Sequence, residues 1–160
     1  VTDVWVVDAS PLIILGQVGK LELLEQLSSQ LFVPAAVVKE ILAGPEDSAH
    51  RALLSGWGER RHATVPEIVA EWSLGQGESA VIALALELGA TAVVDDRSAR
   101  RCARAVGTSV IGTLGVIIRA KRQGLIDAAA PIIRSVLDAG LFYEDQAVRR
   151  LVEDIGERWP

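Results

Sequence analysis

Val4–Ile13 reads VWVVDASPLI, and the parsing of that stretch decides the fold. Val4–Val7 is an unbroken β-branched and aromatic run with no polar alternation, which predicts a strand buried on both faces. Asp8 ends the run. Pro11 lies three residues further on and suits the first turn of a helix, where its missing N–H is no loss. A buried strand, an acid and a helix start form the opening of a βαβ unit.

The same grammar recurs downstream. Leu31–Val33 predicts a short strand stopped by Pro34, and Ala35–Leu42 a helix bounded by Pro34 and by Gly44-Pro45. Thr91–Val94 predicts a strand ending at Asp95 and Asp96, followed by a helix over Ser98–Val106 that Gly107 stops. Ser109–Ile111 predicts another strand, leading into a helix over Thr113–Gln123 that Gly124 stops. Between these units, Leu12–Leu27 has helical spacing divided by Gly16 and Gly19, Glu46–Arg61 is a polar helical connector, and Ala63–Val65 is a candidate small strand. Gln76–Leu88, closed by Gly89, is apolar on nearly every side and so predicts a helix packed in the core. Two further helices are expected over Pro131–Leu137 and Glu144–Ile155; the second is amphipathic enough to dock a partner or to pack on its own domain. Strands alternating with helices imply right-handed crossovers. The predicted class is α/β: three layers, α/β/α, around a mainly parallel sheet.

Composition agrees. The 160 residues, 50% hydrophobic and 23% charged, suit one ordinary domain over residues 1–160, with no repeat or linker to divide it. Cys102 is the lone cysteine, which excludes an intrachain disulfide scaffold and points to a reducing, cytoplasmic setting. No apolar run is long enough for a membrane span, and Val1–Ser10 lacks the pattern of a signal peptide. The absence of any methionine leads us to expect that an initiator has been removed. The formal charge of −5 argues against a nucleic-acid partner when taken alone. It does not decide the matter, because acids gathered at a metal site and bases gathered on one helix leave the same net sum.

In parallel sheets, ligands bind beyond the carboxyl ends of the strands. Here those ends carry Asp8, the Asp95–Asp96 pair and Thr113. Each acid has a plainer alternative. Asp8 could be a helix cap, although Ser10 could serve instead. Glu40, in AAVVKEIL, could be an exposed helix residue. Glu78, in GQGESAVIALAL, could simply favour the positive helix N-terminus, an effect of about 0.3–1 kcal/mol. One of Asp95 and Asp96 could be an N-cap, but two acids are more than a cap requires. Gathered carboxylates repel one another unless protonation or a cation offsets the charge. An oxygen-only set, with His50 and His62 placed outside metal-ligand spacing and expected at the surface, selects a hard ion, Mg²⁺ or Mn²⁺. Such an ion activates water and neutralises charge developing at a phosphodiester, so nucleic-acid hydrolysis is the natural chemistry.

Arg97, Arg100, Arg101 and Arg104 recur at helical spacing beside Asp96, and Arg119, Lys121 and Arg122 form a second cluster. A solvated helix face is the plainer reading for Arg104 and for the second cluster. Arg97 and Arg101, nearest the acids, are the candidates for gripping phosphates.

Taken in order, VVDASPLI around Asp8, VPAAVVKEIL around Glu40, GQGESAVIALALELGA around Glu78 and TAVVDDRSARR around Asp95–Asp96 resemble the PIN-domain ribonucleases. The following GTLGVIIRAKRQGLI is similar to a branch of PIN-like proteins allied to VapC-like toxins of toxin–antitoxin pairs. The resemblance runs from about Val4 to Tyr143, and the ordered set carries it. It implies a PIN-like fold, with Asp8, Glu40, Glu78 and Asp96 as the acidic quartet around Mg²⁺ or Mn²⁺ and Asp95 as an extra acid. Asp8 and Asp96 would be the leading direct ligands, and Ser10 and Thr113 match polar positions lining the pocket. Common PIN toxins carry Asp where this chain has Glu78. The resemblance also implies an RNA substrate, a homodimer and an antitoxin partner. The rival expectation is a non-catalytic PIN-like module that binds nucleic acid or protein. Gly16-Gln-Val-Gly19-Lys20 lacks the spacing and the hydroxyl of a phosphate loop, and Ser10 lacks a nucleophile elbow.

Overall fold

A computed structural model describes residues 3–160. Its sheet has five parallel strands: β1 (Val4–Val7), β2 (Gln30–Pro34), β3 (Glu59–Arg61), β4 (Thr91–Val93) and β5 (Val110–Ile111), in the order β3-β2-β1-β4-β5. Val6 pairs with Phe32 on one side and with Ala92 on the other, so β1 is central. Trp5, Val6 and Val7 are fully buried, as an apolar run without alternation requires.

Among the described residues, ten helices flank the sheet: α1 (Ala9–Gln17), α2 (Glu22–Leu27), α3 (Ala35–Leu42), α4 (Ser48–Leu54), α5 (Glu67–Ala70), α6 (Gln76–Leu88), α7 (Arg97–Ala105), α8 (Thr113–Arg122), α9 (Ala130–Asp138) and α10 (Asp145–Asp154). The architecture is the three-layer α/β/α arrangement expected from the sequence, with a sheet that is parallel throughout. Helix α6 lies against β1, β2 and β4 and against α3, with Gly77 and Ser79–Ala85 buried. Its apolar circumference is thereby explained. Val148 and Val152 of α10 are buried within the chain's own core.

Three expectations are corrected. The connector Glu46–Arg61 ends in a strand, and the small strand is Glu59–Arg61 and not Ala63–Val65. Its three residues are charged and exposed, which suits a sheet edge and hides strand periodicity. It is held by Gln30 Nε2 donating to Glu59 Oε2 at 2.9 Å and by Arg61 stacked 4.6 Å over Phe32. His50 is not at the surface: it sits on α4 at 8% exposure, while His62 is exposed. Gly16 does not break α1, which continues to Gln17. A Cβ at Gly16 would lie 3.2 Å from Ala49 N and Ser48 Cβ, so this glycine admits α4 to close contact. The chain leaves the helix only after it. Helix α5 was not anticipated; four residues are too few to show a period.

Candidate active site

The chain leaves β1 toward β2 on one side, while β4 lies on the other. This makes the β1/β4 boundary the switch point of the sheet, where a crevice opens at the carboxyl ends. Asp8 and the Asp95–Asp96 pair stand at that boundary, and Asp8 N donates to Val93 O at 3.0 Å. A cavity of about 800 Å³ opens there, lined by Asp8, Ser10, Glu78, Asp95 and Asp96 together with arginines of α7.

Asp8 is 5% exposed. Burial, the largest influence, pushes its carboxyl up to about 7; the Ala9 N–H opposes this, and the charges of Glu78, Glu40 and Asp95 push it further up. Glu78 lies three residues after Gly75, the residue preceding α6, and its Oε2 accepts from Gly75 N at 3.4 Å, a weak half of a capping box. Its carboxyl is also raised, first by burial and then by Asp96, against the Gly75 N–H and with a push from Glu40. Glu40 reaches the group from α3 across Gly77. A Cβ on Gly77 would lie 3.0 Å from Glu40 Oε1 and 3.6 Å from Asp8 Oδ1, so the absent side chain leaves the gap into which both acids face.

Asp95 and Asp96 are employed differently. Asp96 Oδ2 caps α7 by accepting from Ala99 N at 2.9 Å. Asp95 accepts from Thr113 N at 2.7 Å on Oδ1 and from Thr113 Oγ1 at 2.7 Å on Oδ2, with Ser10 Oγ donating to Oδ2 at 3.3 Å. Asp95 therefore joins the ends of β1, β4 and β5, and Thr113 is its principal donor; fully buried, Thr113 does not line the cavity as expected but stands behind Asp95. Both of its oxygens are engaged.

A PIN-domain family model matches residues 4–157. The chain belongs to the PIN-domain family. PIN domains are a family of nucleases, and membership supports a nuclease-like role. PAE2754 from Pyrobaculum aerophilum has a similar structure at a TM-score of 0.54 and 18% identity, covering 77% of this chain and 100% of that one, which supports the fold alone. The PilT N-terminus domain protein SSO1118 from the archaeon Sulfolobus solfataricus P2 is matched at a TM-score of 0.49 and 19% identity, over 71% of this PIN domain and 89% of that chain. No curated protein matches.

Of the α7 arginines, the PIN domain turns Arg97, Arg100 and Arg104 to the cavity wall, and Arg101 is not among the lining residues. On a helix, positions three and seven after Arg97 lie on one side of it and position four on the other, so Arg104 reaches the cavity wall although Arg101 is nearer the acids in sequence. Sequence reasoning did not find the segment Gly140–Glu144, which lines the opposite part of the cavity and includes Phe142 and Tyr143. Arg100 Nη1 donates to Tyr143 Oη at 2.8 Å across 43 positions of sequence. No local pattern could have indicated that pair.

The donor set fits a hard cation chemically: it is oxygen-only, and the raised Asp8 carboxyl marks a charge burden that a cation would relieve. As the side chains stand, no group of three His, Cys, Asp or Glu among the described residues is drawn together enough to hold an ion.

Proposed function

We propose that residues 1–160 act as one PIN domain whose cavity is a metal-dependent endoribonuclease site. The observation that carries this reading is the buried Asp8 carboxyl, raised to about 7, facing Glu78, Glu40 and Asp95 at a sheet switch point beside three arginines. Asp8 and Asp96, helped by Glu78 and Glu40, would hold Mg²⁺ or Mn²⁺. When bound, the ion would activate water and offset charge at the phosphodiester. Asp96 has Oδ1 to offer because only Oδ2 serves the helix cap. Asp95 acts chiefly by bonding Ser10, which lines the cavity, and Thr113, which is buried behind it, and contributes its negative charge there. The arginines of α7, with Arg97 foremost, would neutralise RNA phosphates that the acids alone would repel. Arg101, next to this row, would reach the strand further out.

The toxin of a toxin–antitoxin pair is the setting this reading favours, with a cytoplasmic homodimer and an antitoxin that covers the site. The buried lone thiol of Cys102 suits a reducing compartment, and no helix among the described residues is long and apolar enough to cross a membrane. The test is RNA cleavage by purified protein with Mg²⁺ or Mn²⁺, beside Asp8→Asn and Asp96→Asn. Cleavage should need the metal and vanish in both variants; cleavage surviving both would remove the site from the reaction. One observation favours a non-catalytic binding module instead: Arg97, Arg101 and Arg104 leave α7 with an exposed basic face that could bind nucleic acid or protein without metal. Calorimetric titration with Mn²⁺ separates the two, since the nuclease reading requires binding that Asp8→Asn abolishes.

A further inference from the structure

Phe142 is the most exposed of the large apolar side chains among the described residues, at 87%, and it stands on the lip of the carboxylate cavity. It lies between α9 and α10, next to Tyr143, whose hydroxyl accepts from Arg100 Nη1. That bond ties the segment to α7 one residue from the phenyl ring. The guanidinium of Arg100 lies close to the acids: a Cβ on Gly112 would be 3.2 Å from its Nη1 and 3.1 Å from Asp95 Oδ1. A single exposed apolar residue is ordinary by itself. Here it shares a cavity with Arg97, Arg100 and Arg104, so an apolar ring and a row of cations border one opening.

From this juxtaposition we infer that Phe142 is a stacking platform for an unpaired base of single-stranded RNA, whose neighbouring phosphates the α7 arginines hold. A base within a duplex has both faces covered by its neighbours and cannot offer one to the ring. An unpaired base can, and stacking on an aromatic ring tolerates any base because each has a π face. The site would therefore select unpaired segments over duplex without reading sequence. The inference rests on the nuclease reading above and adds to it one residue, Phe142, as the side chain that meets a base.

Binding without cleavage is measured in EDTA, by fluorescence anisotropy of a short single-stranded RNA and of the blunt duplex of the same sequence. Phe142→Ala should weaken single-strand binding about tenfold and leave duplex binding, the slope of affinity against salt and the melting temperature unchanged. Phe142→Trp should restore the affinity. Arg104→Gln should reduce the salt slope by about one, because it removes a phosphate contact. A 2-aminopurine placed in the single strand should be quenched by wild type and not by Phe142→Ala. If wild type binds single strands and Phe142→Ala binds them equally, or loses single strand and duplex alike, the platform is refuted while the nuclease reading stands. If wild type binds no single-stranded RNA, the platform is refuted, while the nuclease reading is judged separately by cleavage with Mg²⁺ or Mn²⁺. If Phe142→Ala keeps RNA affinity but loses self-association in sedimentation, the ring serves a protein contact and the inference is overturned.

Discussion

Asp8→Asn offers the sharpest probe of the site, because it should stabilise the metal-free protein while destroying its chemistry. In the unfolded chain Asp8 loses its proton near the ordinary value of 3.8, but in the folded chain only near 7. Between those values the folded state carries more protons, so the free energy of unfolding falls as pH rises, by up to about 1.4 kcal/mol per pH unit. Stability is fully present below the lower value and is lost as pH climbs to the upper one. Asn is neutral throughout and escapes this penalty. With those two values the variant gains about 1.5 kcal/mol over wild type at pH 5 and about 4 kcal/mol at pH 8. Asp8 is almost wholly buried, so solvent screening removes little of this. Urea unfolding in EDTA at both pH values measures the difference, with unchanged m-values confirming that the same transition is compared. Mn²⁺ supplied at a hundred times its dissociation constant should then add about 2.7 kcal/mol to wild type at pH 8 and nothing to the variant. An advantage for Asn that is equal at the two pH values, or a variant less stable than wild type at pH 8, would refute the account of a buried, repelled carboxylate.

Two further substitutions test how the cavity is assembled. Gly77→Ala places a methyl group in the gap between Glu40 and Asp8, where Glu40 must give way; the helix should gain up to about 1 kcal/mol, while Mn²⁺ affinity by calorimetry falls. Equal affinity in the two proteins would show that Glu40 does not approach the metal. Thr113→Val keeps the side-chain shape but removes the hydroxyl that donates to Asp95 at 2.7 Å, and should cost about 1.5–3 kcal/mol in urea unfolding. Thr113→Ser should recover most of that loss. A cost near zero for Val would mean that the Thr113 backbone N–H and Ser10 are enough to hold Asp95.

How much of this was legible in the sequence depended on the range of the interaction. Val4–Val7 announced a buried central strand because four consecutive apolar residues need cover on both faces, and β1 has it. The helix Gln76–Leu88 was legible for the same reason. The acids at strand ends were legible because chain direction and parallel topology fix which edge each one occupies. Their separate duties were not legible. Asp95 and Asp96 are adjacent and identical in chemistry, yet one binds Thr113 and Ser10 while the other caps α7. The difference comes from where β5 ends and α7 starts in space.

Other features had no local signature. The charged edge strand Glu59–Arg61 takes its identity from pairing with β2 and not from its own periodicity. Arg104 and Arg101 look alike in the sequence, and only the rotation of α7 against the cavity separates them. The lip formed by Gly140–Glu144 meets α7 through a hydrogen bond between residues 100 and 143. The sequence by itself determined the α/β class, the central strand and the acidic edge, since local hydrophobicity and chain direction suffice for those. Tertiary structure alone decided which acids share a cavity, which of them is buried enough to stay protonated near neutrality, and which basic and aromatic side chains border it. Those properties arise from burial and from contacts between distant segments, which no stretch of sequence contains.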